Sequence, residues 1–223
     1  MTAPLLEVEK LEVRYGDLIG VADVSLAVPQ GGIVALLGSN GAGKTSTLNA
    51  IAGLVPASAG SIRLDGRDIA RQPAYAIVRK GLALSPEGWR LFVQQSVENN
   101  LLLGATPLAD RSKVGEMLER VYALFPRLAA RHGPGALMSE PKLLLLDEPS
   151  LGLAPAVIET MYETFQRLHK AGLTLLIAEQ SVDLALEVAS YAYVLQVGRS
   201  VLSGTSAELL NNPDVQRIYL GVG

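Results

Sequence analysis

The chain has 223 residues, 49% of them hydrophobic and 18% charged, and 19 basic against 22 acidic side chains leave a net charge of −3. This balance excludes a charge-rich disordered chain and argues against a basic nucleic-acid binder, while the length allows a proper hydrophobic core in one domain. The absence of cysteine excludes disulfides, thiol nucleophiles and thiolate metal sites, and two histidines, His132 and His169, leave little for an imidazole site. The longest apolar runs, at 33–37, 143–146 and 173–178, have strand length, far below the roughly 18 residues of a spanning helix. No basic stretch followed by an apolar one opens the chain, so no secretory leader is expected and a cytoplasmic protein is the default.

In chain order, alternating apolar positions predict strands over 5–15 and 21–28, with a turn at Gly16 and Asp17 between them. A short apolar strand at 33–37 runs into the glycine-rich 38–43, and helical spacing follows over 44–53. A strand at 61–64 closes on Asp65-Gly66, a helix is expected at 75–80, and a strand at 82–85. Residues 94–140 have a different texture, with helical periodicity at 114–125 limited by Pro126, and read as a helical sub-lobe. Beyond it come a strand at 143–146, a helix at 156–170, a strand at 173–178, a helix at 182–189, strands at 191–197 and 200–202, and a polar helical tail from Ser206. Strands alternating with helices predict βαβ units and a mainly parallel sheet.

Gly38-Ser39-Asn40-Gly41-Ala42-Gly43-Lys44-Thr45 has the spacing of a phosphate-binding loop. Its glycines let successive backbone N–H groups turn towards phosphate oxygens, and the helix that follows points its positive end at the same anion. Lys44 supplies a mobile charge to the β and γ phosphates, and the Thr45 hydroxyl is a ligand for Mg2+. Further on, Leu143-Leu144-Leu145-Leu146 ends in Asp147-Glu148. A buried strand delivers those carboxylates to the carboxyl edge of the sheet, with Asp147 in the Mg2+ shell and Glu148 as general base towards the attacking water. Together the two motifs predict phosphoryl transfer with a Mg2+-bound phosphate ligand.

On these residues the chain resembles the ATPase subunit of an ABC transporter over essentially its whole length. The resemblance implies an α/β P-loop NTPase fold: a mainly parallel sheet, an antiparallel β subdomain, and a helical subdomain, here truncated, inserted at 94–140 of a single 1–223 domain. It implies that the phosphate ligand is ATP, that Gly38, Ser39, Asn40, Gly41, Ala42, Gly43, Lys44, Thr45 and Ser46 hold the nucleotide, that Tyr15 stacks on adenine, and that Ser150-Leu151-Gly152-Leu153 cross a dimer interface. Two departures narrow the likeness. Glu87 stands where a glutamine is usual, and Gln180 where a switch histidine is usual. Both, with 149–155 (PSLGLAP) and Ile218-Tyr219-Leu220-Gly221, resemble the second ATPase subunit of branched-chain amino-acid importers; relatives that import urea, amides or other amino acids share much of the pattern.

Glu87 can ligate Mg2+ through oxygen, more strongly than an amide. Gln180 can hydrogen-bond a γ-phosphate but does not titrate near neutrality, so a weak pH dependence around 6–7 is expected from this position. The implied partners are two transmembrane permease subunits, a paralogous ATPase subunit or a second copy of this chain, and indirectly a substrate-binding protein, on the cytoplasmic face of the membrane and without nucleic acid. Residues 87–95, with Trp89, Leu91 and Phe92, are the expected dock for the permease.

The family's LSGGQ-like signature, which meets the γ-phosphate held by the partner subunit, is missing. The sequence passes from Arg131-His132-Gly133-Pro134-Gly135 to Ala136 without it. The completeness of the other motifs favours an omitted stretch over a true deletion, and such a stretch would show as a Cα step well above about 3.8 Å between Arg131 and Ala136. A true deletion would instead make the chain an ATP-binding regulatory partner that does not hydrolyse. A non-transport ABC ATPase, as in DNA repair or translation, would carry long coiled-coil insertions or tandem units, which 223 residues do not offer.

Overall fold

A computed structural model describes residues 4–88, 92, 94–108, 110–124 and 134–220. The elements in order are β1 (Pro4–Tyr15), β2 (Leu18–Pro29), β3 (Ile33–Leu37), α1 (Lys44–Ile51), β4 (Ala59–Leu64), β5 (Arg67–Asp68), α2 (Ala74–Val78), β6 (Leu82–Ser85), α3 (Val97–Gly104), α4 (Val114–Leu124), β7 (Leu143–Asp147), α5 (Pro155–Lys170), β8 (Thr174–Glu179), α6 (Val182–Val188), β9 (Tyr191–Gln196), β10 (Arg199–Thr205), α7 (Ser206–Leu210) and α8 (Pro213–Leu220). The strands form one sheet in the order β5-β4-β1-β2-β10-β9-β3-β8-β7-β6.

The segment β9-β3-β8-β7-β6 is parallel throughout, and β5, β4, β1 and β2 pair antiparallel. The two halves meet at β10, which joins β2 through the single pair Arg199↔Asp23. The Gly198 carbonyl reinforces the seam by accepting from the N–H groups of Ala22 and Asp23 at 2.7 and 3.0 Å.

Every residue of β3, β7 and β8 is buried, as expected of strands covered on both faces. Their side chains divide with period two. Val34, Leu36, Leu143 and Leu145 pack into one core with α1 and the antiparallel strands. Ile33, Ala35, Leu37, Leu144 and Leu146 pack into the other, with Tyr162, Phe165 and Leu168 of α5 and with α6. Each fully buried leucine contributes about 1.5–3 kcal/mol, so the strands that carry the loops are the most strongly held part of the molecule. Pro155 at the first turn of α5 and the left-handed Gly172 beyond its end set the limits of that helix.

The strand at 82–85 lies where the alternation places it. The second strand begins earlier than predicted because Leu18 and Ile19 are exposed and hide the pattern. The two-residue β5 carries no periodic signal. Among the described residues of 94–140 lie α3, α4 and two 3-10 turns, Arg111–Lys113 and Pro134–Ser139. Ser96 caps α3 by accepting from the Asn99 N–H. Met138 of the second turn is fully buried and anchors the entry to β7. Of the junction Arg131–Ala136, at which a chain break was expected, residues 131–133 lie outside the described residues; in sequence, Gly133 leads directly into the Pro134–Ser139 turn.

Candidate nucleotide site

Register places the predicted site along one edge of the sheet. Leu37 pairs with Glu179, Asp147 with Ala178, and Ser85 with Leu146. The loops leaving β3, β6, β7 and β8 therefore start side by side, and they carry Gly38, Glu87, Glu148 and Gln180 respectively.

The loop from Gly38 to Gly43 curls back over its own start. Gly43 has φ 104, and a Cβ there would lie 2.9 Å from the Gly20 carbonyl, so this position requires glycine. Gly41 also has positive φ, whereas Ser39 and Asn40 are exposed at the tip. Lys44 is 3% exposed. Its ammonium donates to the carbonyls of Gly38 and Ser39 at 2.7 and 3.1 Å and lies 3.0 Å from Glu148 Oε1. The first residue of α1 thus meets the carboxylate that directly follows β7.

Thr45 Oγ1 donates to Asp147 Oδ1 at 3.2 Å. Burial raises the Asp147 pKa to about 6, although the Thr45 hydrogen bond opposes the shift; the Glu148 and Glu87 charges add to it. Glu148 has φ 45, and its N–H donates to the Ala178 carbonyl at 2.9 Å. Glu87 and Gln180 are exposed at the mouth. Tyr15 ends β1, half exposed, with its hydroxyl 3.3 Å from Ser46 Oγ and its ring against Gly20. The structure therefore brings together Tyr15, the 38–46 loop, Glu87, Asp147, Glu148 and Gln180.

Among the described residues no group of three His, Cys, Asp or Glu side chains is arranged to hold a metal by itself. Thr45 and Asp147, with Glu87 nearby, fit Mg2+, which characteristically takes one or two carboxylates, water and substrate phosphates.

Three residues at this edge escaped the sequence analysis as functional groups. Glu179 is buried at the end of β8 and accepts from the N–H of Ser150, the hydroxyl of Tyr162 and the N–H of Gln180. Burial, and then the Glu179 carboxylate, drive the Tyr162 phenol well above its usual range. Tyr219 of α8 has a buried hydroxyl with no hydrogen-bond partner among the described residues, and burial again raises the phenol. Tyr162 stands fourteen residues beyond Glu148 and carries no local signal of its own, Tyr219 was legible only as part of the closing 218–221 segment, and an acid closing an otherwise apolar strand was the clue at Glu179.

The ABC transporter family model matches residues 21–132 and ends one residue before Gly133, where the signature is missing. BraG of Pseudomonas aeruginosa, a high-affinity branched-chain amino acid transport ATP-binding protein, is 41% identical, covering 97% of this chain and all of that protein. Its alignment runs over 233 residues, more than this chain has, so part of the relative has no counterpart here. BraF of the same organism, named for the same transport, is 30% identical over 99% of each chain. LptB of Escherichia coli, of a lipopolysaccharide export system, is 35% identical over 97% of each. Among solved structures, an ATP-binding cassette of an ABC transporter in its ADP conformation superimposes with a TM-score of 0.83 over 99% of this chain and all of its own, at 23% identity. An ATP-binding subunit of an ABC transporter gives 0.80 at 27% identity, covering 97% of this chain and 98% of its own. Fold, phosphate loop and relatives agree, and the chain belongs to the ABC transporter family of ATP-binding subunits, which hydrolyse ATP to power transport.

Proposed function

We propose that this chain binds and hydrolyses ATP to energise an importer of branched-chain amino acids. The full-length likeness to BraG carries the substrate class, and the convergence of Lys44, Thr45, Asp147 and Glu148 on one sheet edge supports the chemistry. The backbone N–H groups of 38–43 and Lys44 Nζ receive the phosphates, and Tyr15 receives the base. Thr45, Asp147 and Glu87 would hold Mg2+, which neutralises phosphate charge when bound. Once the phosphates compete for Lys44, Glu148 Oε1 is free to take a proton from water at the γ-phosphate, with the Gln180 amide hydrogen-bonding the phosphate.

ATP-binding subunits of ABC importers work with transmembrane permeases, and none of the described helices here is long and apolar enough to cross a membrane. In this reading 94–140 is the inserted helical lobe, and the chain sits on the cytoplasmic face with its dock at 87–95. Phe92 is 63% exposed there, and Asn100 pins its backbone by accepting from its N–H at 2.9 Å and donating to its carbonyl at 3.1 Å. Trp89 and Leu91 lie outside the described residues. The ATPase partner is a paralogue or a second copy of this chain; with the chain as written, only a signature-bearing paralogue supplies a trans donor. Two differently named ATP-binding proteins of one organism, BraG and BraF, match the chain, which fits a paired arrangement.

The test is ATP-dependent uptake of labelled leucine by vesicles containing the chain, its ATPase partner and its permeases. Uptake of leucine, isoleucine and valine that requires ATP is expected. Uptake of urea or a polar amino acid in their place would overturn the substrate assignment.

A further inference from the structure

We infer that Glu179 is a positioning residue of the ATPase: a buried clamp that holds the 150–153 loop and Gln180 in fixed relation to Glu148. The inference rests on the ATPase reading of the site. Glu179 is 2% exposed at the end of β8. Among the described residues it forms no ion pair with Lys, Arg or His. A carboxylate buried without a cation is costly unless hydrogen bonds satisfy it. Here the donors come from three different parts of the site.

Oε1 accepts from the Ser150 N–H at 3.0 Å and from the Tyr162 hydroxyl at 3.2 Å, and Oε2 accepts from the Gln180 N–H at 3.2 Å. Ser150 begins the loop that follows the catalytic carboxylates, Tyr162 lies on α5 beyond that loop, and Gln180 faces the mouth. The neighbouring residue completes the grip, because the Ala178 carbonyl accepts from the Glu148 N–H at 2.9 Å. Two successive residues of β8 thus fix the base, the loop behind it and the phosphate-facing amide. Glu179 itself touches no reacting atom; it acts through Ser150 and Gln180.

The two carboxylate oxygens have separable tasks. In Glu179→Gln the amide oxygen can still accept from Ser150 and Tyr162, but an NH2 then faces the Gln180 N–H, donor against donor. That variant keeps the loop and loses the Gln180 link. Glu179→Ala loses both, and Tyr162→Phe removes one donor while leaving the carboxylate.

The experiment combines steady-state ATPase kinetics of the full chain in its transporter complex with hydrogen exchange of the Ser150 amide. Glu179→Ala is expected to lower kcat by at least about tenfold, the scale of small displacements near a reacting centre, while KM for ATP moves less than about twofold. Its Ser150 amide should exchange at least about tenfold faster. Glu179→Gln should keep Ser150 protection and recover most, but not all, of kcat. If Glu179→Ala does not fold, the Gln and Phe variants carry the test, with Tyr162→Phe expected to speed Ser150 exchange modestly. Unchanged kcat, a fall in nucleotide affinity that matches the fall in kcat, or unchanged Ser150 exchange would each overturn the clamp. Absent turnover in the wild-type complex would instead sink the ATPase reading, and the Ser150 exchange would still decide on the clamp.

Discussion

Lys44 Nζ lies 3.0 Å from Glu148 Oε1, and both side chains are almost fully buried. The cation meant for phosphate and the base meant for water therefore neutralise each other within one ion pair. Removing one partner of such a pair leaves an uncompensated buried charge, at about 3–5 kcal/mol. Lys44→Ala should therefore lower thermal stability as well as abolish most ATP binding and turnover. Glu148→Gln should keep a hydrogen bond to Lys44, retain nucleotide binding, and lose about 10²–10⁴-fold in turnover with the base. Melting curves and ATP binding on both variants check this; an unaltered Tm in Lys44→Ala would show that the pair contributes nothing.

Asp147 gives a pH dependence of defined sign. Its folded pKa of about 6 lies above the ordinary 3.8, chiefly through burial. Between those values the native state binds a proton that the unfolded chain does not, so the contribution of this group to stability is full below 3.8 and is lost as pH rises through about 6. Asp147→Asn removes the titration while its amide oxygen can still accept from Thr45. In metal-free buffer the variant should match the wild type near pH 4 and melt at higher temperature by pH 7, with weaker Mg2+-dependent ATP binding. A Tm difference that does not change between pH 4 and pH 7 would contradict the burial argument.

Two glycines of the loop separate strain from collision. Both Gly41 and Gly43 have positive φ, but a Cβ at Gly41 meets nothing within 4 Å, whereas one at Gly43 meets the Gly20 carbonyl at 2.9 Å. Gly41→Ala should cost only the backbone term, about 1 kcal/mol. Gly43→Ala should cost more, about 2–3 kcal/mol with the added clash, and should displace the loop from β2. Denaturant unfolding of the two variants compares them directly; equal losses would mean that the approach of Gly43 to Gly20 imposes no constraint.

The sequence made the phosphate loop, the acidic strand end and the parallel core legible because each carries its own local pattern: glycine spacing, a four-leucine run, period-two burial. Gln180 and Glu87 were legible only as departures from a family likeness. Glu179, Tyr162 and Tyr219 were not, because their roles arise from pairing between β3, β7 and β8 and from helices that return from far along the chain. The register Leu37↔Glu179 cannot be read from either strand alone. The start of β2 was obscured for a different reason, since exposed Leu18 and Ile19 break the alternation on which strand assignment depends.

The missing signature leads to the last prediction. Between Arg131 and Ala136 the sequence has only His132-Gly133-Pro134-Gly135. Two copies of this chain would present two phosphate loops and no trans donor to either γ-phosphate. Paired with a signature-bearing paralogue, the chain has one complete site, built from its own Lys44, Asp147 and Glu148 and the paralogue's signature; the paralogue's own phosphate loop faces the side that lacks one. The chain alone should bind ATP normally, since Lys44 and the loop act in cis. Its turnover should be about 10²–10³-fold below that of the mixed pair, the scale of losing preorganised donors to a reacting oxyanion. In the mixed pair, Glu148→Gln in this chain should remove most of the turnover, and the matching substitution in the paralogue should remove little. Equal losses from the two substitutions, or full turnover by the chain alone, would show that the site is completed without a trans signature. The intact mass is an independent check: a value near 23.6 kDa fits the chain as written, and a substantially heavier one would restore the segment and with it the symmetry of the pair.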